Sequence, residues 1–300
     1  MDWELVLIIL VDGLVYASYL FMVAVGLTVI LGVQKVLNVT HGSFYAFGAY
    51  LAAYTMIFYY KTDGPVFVGF AIILFSAVVL GLIFAFVIER GLLQFLYHRD
   101  EHIMVLATFA AFLVLEDVLL LIWGTEPYLA PEPMMLLGQS EIAGIIFDNY
   151  NLSMIGLSFV VAIALWFWLN KTQYGKMLLA VIYDREISQA LGINVTKVFF
   201  GTFALGAFLG ALGGAYQAPT ISVLPGIGVE VIVLAFAVVV IGGMGSIMGA
   251  LIGSGIVGIT RAWAVHQLPE VELFVIYAIM AVVLAVRPQG LFAPVQARKI

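Results

Sequence analysis

The chain has no cysteine and few charged residues for its length. Without cysteine it has no disulfide, no thiolate metal site and no cysteine nucleophile. Only 10% of its 300 residues are charged, whereas a soluble domain carries about 25% because its surface has to be solvated. Hydrophobic residues make up 64% of the chain. Most of the exterior must therefore face lipid, and the composition predicts a polytopic membrane protein.

Other missing features exclude further functional classes. The net charge of −6 and the absence of a basic run argue against binding of nucleic acid. The sequence contains no P-loop, so the chain does not hydrolyse ATP itself, and it contains neither H-E-x-x-H nor G-x-S-x-G. His98 and His102 have the i, i+4 spacing of a helical metal site, but the charged residues between them indicate a solvated cluster. An intramembrane enzyme is therefore the least favoured class.

Long apolar stretches are what the chain has in abundance. A spanning helix needs about 20 mostly apolar residues. Seven stretches reach or approach this length: 5–31, 42–60, 66–88, 103–123, 151–169, 198–218 and 270–286. An eighth, 230–264, is interrupted by a glycine-rich turn at 242–246. The sequence predicts one all-α membrane domain over residues 1–300 with about eight membrane segments, the first of them too long for a cleaved signal peptide.

The distribution of lysine and arginine predicts the orientation, because cytoplasmic segments carry an excess of both. Ten of the twelve basic residues fall on one side of the predicted crossings: Lys35, Arg90, Arg99, Lys171, Lys176, Arg185, Lys197, Arg287, Arg298 and Lys299. The segment 124–150 has four acidic residues and no basic one. We therefore expect an external N-terminus, an external loop 124–150, a cytoplasmic loop 170–197 and a cytoplasmic C-terminus.

The interrupted stretch 230–264 is predicted to enter and leave the membrane on the outer face. The basic segments before and after it both lie in the cytoplasm, which requires an even number of crossings, and two full spans already supply them. Two short passes or a re-entrant hairpin satisfy this count. Such irregular backbone is tolerated at membrane depth where it is buried in protein or lines a polar cavity. The alternative is one long kinked helix with an external C-terminus.

Two glycine ladders predict close helix packing. Gly206, Gly210 and Gly214 recur every four residues, and so do Gly245, Gly249 and Gly253. This spacing puts small residues on one face of a helix and lets backbones approach closely. The pattern indicates a compact bundle and carries no information about chemistry.

Polar residues in two broken elements are candidates for a translocation path. They are Asn38, Thr40, His41 and Ser43 in the first element, and Gly242, Gly243, Gly245 and Ser246 in the second. In the first element the hydrogen-bonding groups outnumber those that a simple turn needs. An ordinary cytoplasmic loop with an interfacial histidine explains the same residues, so both interpretations stay open at this point.

Glu116 and Asp117 lie well inside the fourth apolar stretch. Charged groups at this depth cost several kcal/mol, on the order of 3, and usually face a polar interior or a partner. Consecutive residues point about 100° apart on a helix, so the two carboxylates are not aimed at one ligand. An ion- or proton-coupled secondary carrier that uses this pair is the alternative to the function considered below.

The cytoplasmic loop 170–197 contains a short amphipathic helix in its middle, which Gly192 is expected to end. Ile182, Ile187, Ala190 and Leu191 cluster on one face of it. This face either docks into a groove on a soluble partner or lies on the chain's own bundle. The sequence pattern alone does not choose between the two.

Several motifs resemble those of one transporter group. The stretch from Gly175 to Asn194 resembles the D-R-E…L-G-I-N loop of the LivH/LivM group of branched-chain amino acid permeases in bacterial ABC importers. The agreement continues in Gly26–Thr28, Val36–Gly42, Val239–Ser246 and Arg287–Phe292, in order along nearly the whole chain. The form Asn38…His41-Gly42 is similar to the LivH member of the pair.

The resemblance implies a permease subunit in a bacterial inner membrane, with no cofactor of its own. It implies a homologous LivM-like second permease, two ATPases that bind ATP and magnesium, and an external solute-binding protein. The residues expected to contact the ATPases are Gly175, Asp184, Arg185, Glu186, Ala190, Leu191, Gly192 and Asn194. Glu186 with Gly192 six residues later resembles the E-A-A-x-x-x-G coupling loop of bacterial ABC importer permeases, but Ile187-Ser188 stands where that motif has Ala-Ala. Glu116-Asp117 occupies a place where similar permeases commonly carry amide or mixed polar residues. The solute stays open among branched-chain amino acids, amides, urea and aromatic acids.

Overall fold

The computed structural model describes residues 3–35, 37–97 and 99–292. Val36, His98 and the end of the basic tail, Arg298 and Lys299, lie outside the described residues. The described helices are α1 (Trp3–Gln34), α2 (His41–Tyr60), α3 (Val68–Phe84), α4 (Glu101–Trp123), α5 (Glu132–Leu137), α6 (Asn149–Lys171), α7 (Gln173–Tyr183), α8 (Arg185–Ala190), α9 (Val195–Gln217), α10 (Ile227–Gly242), α11 (Ile247–Gln267) and α12 (Glu272–Val286). A π-helical segment, Ala85–Arg90, extends α3.

The all-α membrane fold predicted from the sequence is confirmed. Six helices in the described part of the chain are long and apolar enough to span a membrane: α1, α3 with its π-helical extension, α4, α6, α9 and α11. Helices α10 and α12 are shorter and apolar. The segment 124–150 also contains α5 and a hairpin of β1 (Gln139–Ile142) with β2 (Ile145–Asp148), neither of which the sequence predicted.

Helices α1, α2 and α9 form the centre of the bundle and cross with their backbones in contact. A Cβ added to Gly206 would overlap Ile30 of α1, and one added to Gly214 would overlap the Tyr45 carbonyl of α2. Gly210 leaves room for the His41 imidazole and for Phe44. The first glycine ladder therefore does what its spacing predicts, because only glycine lets these backbones approach so closely.

The stretch 230–264 is an antiparallel pair of helices, and the alternative of one long kinked helix is wrong. Gly242 of α10 packs on Gly249 of α11, and Val238 packs on Gly253, so the two helices run in opposite directions. Gly243 and Gly245 make the turn with φ of 105° and 80°, values that favour glycine. Helix α11 then runs antiparallel along α1, with Gly32 near Gly245 and Gly13 near Ile259.

These contacts bring the basic ends of the helices together. Gly32, near the end of α1, lies beside the Gly245 turn, and Gly290 after α12 lies beside Gly243. Val33 packs in one cluster with residues of α7 and α9. At the opposite end, Asp12 of α1 bonds to His266 of α11 with an Oδ2–Nε2 distance of 2.9 Å. The predicted cytoplasmic segments thus share one end of the bundle.

Candidate translocation and coupling sites

Helix α2 begins inside the bundle. The chain leaves α1 at Lys35, whose φ is 54°, and folds back before α2 starts. The His41 Nε2 atom lies 2.9 Å from the carbonyl oxygen of Val23, near the middle of α1. The first turn of α2 is therefore at membrane depth. This position favours the interpretation of 34–42 as a broken-helix element over that of an ordinary loop.

The polar residues of this element are fully buried and only partly hydrogen-bonded. The Asn38 Oδ1 atom accepts from the Thr40 backbone N–H at 3.1 Å and from the Thr40 hydroxyl at 2.5 Å. Thr108 of α4 accepts from the Val39 N–H at 3.3 Å. Five further polar atoms from Gln34 to Ser43 are buried with no partner among the described residues: Gln34 Nε2 and Oε1, Asn38 Nδ2, His41 Nδ1 and Ser43 Oγ. Unsatisfied polar groups of this kind are costly and usually mark a functional position or an unseen partner.

Helix α10 begins against the first turn of α2. Gly42 and Gly228 pack backbone to backbone, and a Cβ on Gly42 would overlap the Gly228 carbonyl oxygen. Glu116 of α4 reaches the same place, since its Oε1 atom lies 2.8 Å from the position that a Cβ on Gly228 would take. A carboxylate is stabilised near a helix N-terminus by the helix dipole. Glu116 therefore lies beside the first turn of α10, at the point where two interrupted helices start; we call this point the α2–α10 junction.

Asp117 points away from that junction. Its side chain is exposed, whereas Glu116 is only partly exposed. This confirms that the two adjacent carboxylates are not aimed at one ligand. No hydrogen bond or ion pair of Asp117 occurs among the described residues.

The glycine turn of the second broken element lies at the other end of α10. Ser246 caps α11 by accepting from the Gly249 N–H at 3.0 Å. The turn is fastened by the segment after α12, in which Leu291 and Phe292 donate to the carbonyl oxygens of Ile241 and Gly242. Since α10 has 16 residues, this turn lies about 22 Å from the α2–α10 junction. The structure thus brings Asn38, Thr40, His41, Ser43 and Glu116 together at the junction, and it does not bring Gly242, Gly243, Gly245 and Ser246 to them.

The predicted coupling loop forms two short helices with well-defined caps. Asp184 ends α7 and caps α8 by accepting from the Ile187 N–H at 2.9 Å. Gly192, with φ of 85°, ends α8, and the N–H groups of Gly192 and Ile193 bond to the carbonyl oxygens of Gln189 and Ser188. This is the Schellman geometry that glycine favours, so the prediction that Gly192 ends the helix is confirmed. Asn194 then caps α9 by accepting from the Lys197 N–H at 3.0 Å.

The side of α8 that faces away from the bundle carries two large apolar side chains. The exposed fractions of Ile187 and Leu191 are 59% and 77%. Glu186 and Ala190 are exposed on the same helix, and only Ser188 is buried. The helix therefore does not lie on the chain's own bundle through this face, and a partner that covers Ile187 and Leu191 would remove apolar surface from water.

Two contacts join the coupling segment to the transmembrane helices. Gly175 of α7 packs on the last turn of α6, where a Cβ would overlap the backbone of Leu169. The Arg185 guanidinium lies over the rings of Phe199 and Tyr97, at 5.2 Å and 5.9 Å from their centroids. Tyr97 in turn donates to the Glu89 carboxylate at the end of α3. Burial raises the pKa of Tyr97 well above its usual range, so it stays a donor.

Comparison with known proteins decides the class of the chain. A family described as "Branched-chain amino acid transport system / permease component" matches residues 9–284. The chain belongs to this family of transport permeases. The permease proteins BraD of Pseudomonas aeruginosa and LivH of Escherichia coli, both named for high-affinity branched-chain amino acid transport, are 25% and 26% identical to it; the alignments cover 97% and 96% of each chain. The ribose import permease RbsC of Haemophilus influenzae is 26% identical over 79% of this chain and 71% of its own.

Membership in this family confirms the transport function predicted from the motifs, and it does not favour the secondary carrier. The chain is a membrane-embedded component of a transport system. A permease named for a sugar also matches much of the chain. Similarity of this kind therefore identifies the chain as a transport permease and does not identify its solute.

Sequence reasoning missed a charged cluster at the end of the bundle opposite the coupling helices. The Arg261 guanidinium lies 3.8 Å from the centroid of the Tyr16 ring and forms an ion pair with Glu272. Arg261, Tyr16 and the Asp12–His266 pair border a cavity of about 330 Å³. Arg261 is one of the two basic residues outside the ten that the orientation pattern groups together, and only the fold shows that Glu272 compensates its charge.

Proposed function

We propose that this chain is the permease subunit of an ATP-driven importer for branched-chain amino acids or a related small polar solute such as an amide, urea or an aromatic acid. The observation that carries the proposal is the exposed apolar face of the capped helix α8. It supports a docking site for an ATPase subunit, since the chain has no nucleotide-binding motif of its own. The contact residues proposed are Gly175, Asp184, Arg185, Glu186, Ala190, Leu191, Gly192 and Asn194.

The proposed assembly contains a homologous second permease, two ATPases that bind ATP and magnesium, and an external solute-binding protein. The family description supports partners in general, because it names a component of a system. The basic residues gathered at the α7–α8 end support a cytoplasmic location for that end and an external N-terminus, in a bacterial inner membrane. The acidic segment 124–150 is then external and available to the binding protein.

The mechanism follows from how α7 and α8 are attached. Closure of the ATPase pair on ATP would move α8, and the rigid contacts of Gly175 and Arg185 would carry this motion to α6, α9 and the end of α3. ATP then shifts the bundle between inward- and outward-open states because it binds preferentially with one of them. The proposed path uses the interrupted helices, with Asn38, Thr40, His41, Ser43 and Glu116 at the junction, Asp117 on the adjacent exposed face of α4, and Gly242, Gly243, Gly245 and Ser246 at the turn.

The docking proposal is tested by charging the apolar face of α8. The variant Ile187→Asp should lower solute uptake and solute-stimulated ATPase activity of the complete importer by about tenfold or more, since a carboxylate would be desolvated at the interface. The matched control is Ile146→Asp, an isoleucine of similar exposure, 65%, in β2 at the opposite end of the bundle. Co-purification of the ATPases should fall only for Ile187→Asp.

The outcomes separate the two parts of the proposal. Normal uptake and normal co-purification of Ile187→Asp would exclude α8 as the ATPase contact. Uptake of the solute by this chain alone, driven by an ion gradient, would exclude the importer itself.

A further inference from the structure

The outer surface of the bundle is made of two kinds of helix face. The exposed residues in the middle of α3 and α6 are apolar, for example Leu74, Phe75 and Val78 in α3 and Phe159 and Val160 in α6. Such faces suit lipid. Beyond Glu101 and His102 at the start of α4, the exposed residues of this helix are also apolar, except for Asp117. This carboxylate is one turn from Leu113 and Leu121, which are exposed on the same side of the helix.

Asp117 lies too deep to be solvated from the membrane surface. It is the seventeenth residue of the 23-residue helix α4, which puts it about 9 Å inside the Trp123 end and about 24 Å from the other end. An aspartate side chain is too short to reach the interface over this distance. A charged carboxylate that faces lipid at this depth costs on the order of 3 kcal/mol, so such residues normally face protein or water.

Helix α4 is also the least enclosed of the long helices, together with α6. Only 17% of its most apolar 18 residues are buried, compared with 83% for α1. Its inner face meets the rest of the bundle at the α2–α10 junction, where Glu116 lies beside Gly228. Interrupted helices of transporters commonly surround the place where the solute passes. The face of α4 next to Glu116 therefore lies at the edge of that place.

From these observations we propose that the Asp117 face of α4, with Leu113 and Leu121, lines the water-filled translocation path between this chain and a second permease, and that Asp117 binds the cationic group of the passing solute. The proposal rests on the proposed function and, among the solutes named there, commits to a branched-chain amino acid, which carries an ammonium group. A carboxylate in a narrow polar path is complementary to that group and selects against solutes that lack it. Glu116 is then a positioning residue, and Asp117 is the residue that meets the solute.

The first test is the accessibility of single cysteines, for which the cysteine-free chain is a suitable background. Leu113→Cys, Asp117→Cys and Leu121→Cys in the complete importer should react with the membrane-impermeant thiol reagent MTSET, and excess leucine with the binding protein should slow the reaction. The matched controls are Phe75→Cys and Val160→Cys, equally exposed positions on α3 and α6. They should not react. If the three cysteines on α4 react no faster than the two control cysteines, the proposal is overturned.

The second test is the dependence of uptake on the charge of residue 117. Asp117→Asn should lower leucine uptake by about tenfold or more, as expected for the loss of a charge-assisted hydrogen bond, whereas Asp117→Glu should retain most of it. Asparagine has the shape of a protonated aspartate. Normal uptake by Asp117→Asn would therefore show that a neutral side chain suffices and would overturn the role of Asp117.

The tests distinguish this proposal from the proposed function. The labelling pattern reports on α4 whatever the solute is. Absence of leucine uptake by the unmodified importer would contradict the proposed solute, and a water-accessible α4 with wild-type uptake in Asp117→Asn would contradict only the present proposal.

Discussion

The centre and the edge of this bundle are built from equally apolar helices, but they are packed in opposite ways. Helix α1 is 83% buried over its most apolar stretch, and glycines bring the backbones of α1, α2 and α9 into contact. Helices α4 and α6 are 17% buried over the corresponding stretch. The comparison shows that the central helices are buried by contacts within one chain. The outer helices leave apolar faces that lipid or another protein has to cover.

The cytoplasmic helices α7 and α8 extend the same comparison. Their inner side is anchored by Gly175 and Arg185, and their outer side leaves Ile187 and Leu191 exposed. An element that transmits the motion of a bound partner to the transmembrane helices needs a rigid attachment to those helices on one side and an exposed binding surface on the other. Three substitutions test this difference between the closely packed centre and the exposed outer helices.

The largest effect is expected from Gly214→Ala in the centre. The new Cβ would overlap the Tyr45 carbonyl oxygen, so α2 and α9 must separate, at a cost on the order of 3 kcal/mol. The control is Gly156→Ala at the edge, where no atom lies within 4 Å of the new Cβ. It should stabilise α6 by about 0.5–1 kcal/mol. Thermal unfolding in detergent measures both, and similar melting temperatures for the two variants would contradict the distinction.

A smaller effect is expected from Gly192→Ala at the end of α8. A residue with a Cβ in the left-handed conformation of Gly192 (φ 85°) costs about 1–2 kcal/mol. Because α8 is attached only at one side, we expect local fraying and reduced coupling of ATP hydrolysis to uptake, with an unchanged melting temperature. Gly201→Ala is the control, since Gly201 has open space around it within α9. Full coupling in Gly192→Ala would show that the α8 cap is dispensable.

The smallest effect is expected from Glu116 at the α2–α10 junction. Glu116→Leu removes the carboxylate beside the first turn of α10 and should lower the free energy of unfolding by about 1 kcal/mol, because a negative charge is stabilised at a helix N-terminus. Glu116→Gln keeps a polar side chain of the same shape and should lose less. The two are compared by thermal unfolding of the purified chain. A larger loss for Glu116→Gln would mean that a polar side chain at this position does not stabilise the start of α10.

Much of this arrangement could be predicted from local pattern. The spans follow from runs of apolar residues, and the end of α8 follows from Gly192, because both depend on neighbours in the sequence. The position of His41 could not be predicted in this way, since the sequence allowed either a loop or a path element. Its burial depends on Gly26 of α1 and Gly210 of α9, which leave room for the imidazole ring.

The sequence by itself determined that this protein is an all-α membrane protein with one basic end, because composition, hydropathy and charge distribution are properties of the chain itself and decide which segments lie in lipid and which in water. Only the tertiary structure decided that α10 and α11 form a hairpin, that α2 and α10 start at the same point, and that Glu116 turns inward while Asp117 turns outward. These features depend on which helices pack together. That choice is made by close backbone contacts between glycines far apart in the chain, and not by any single segment.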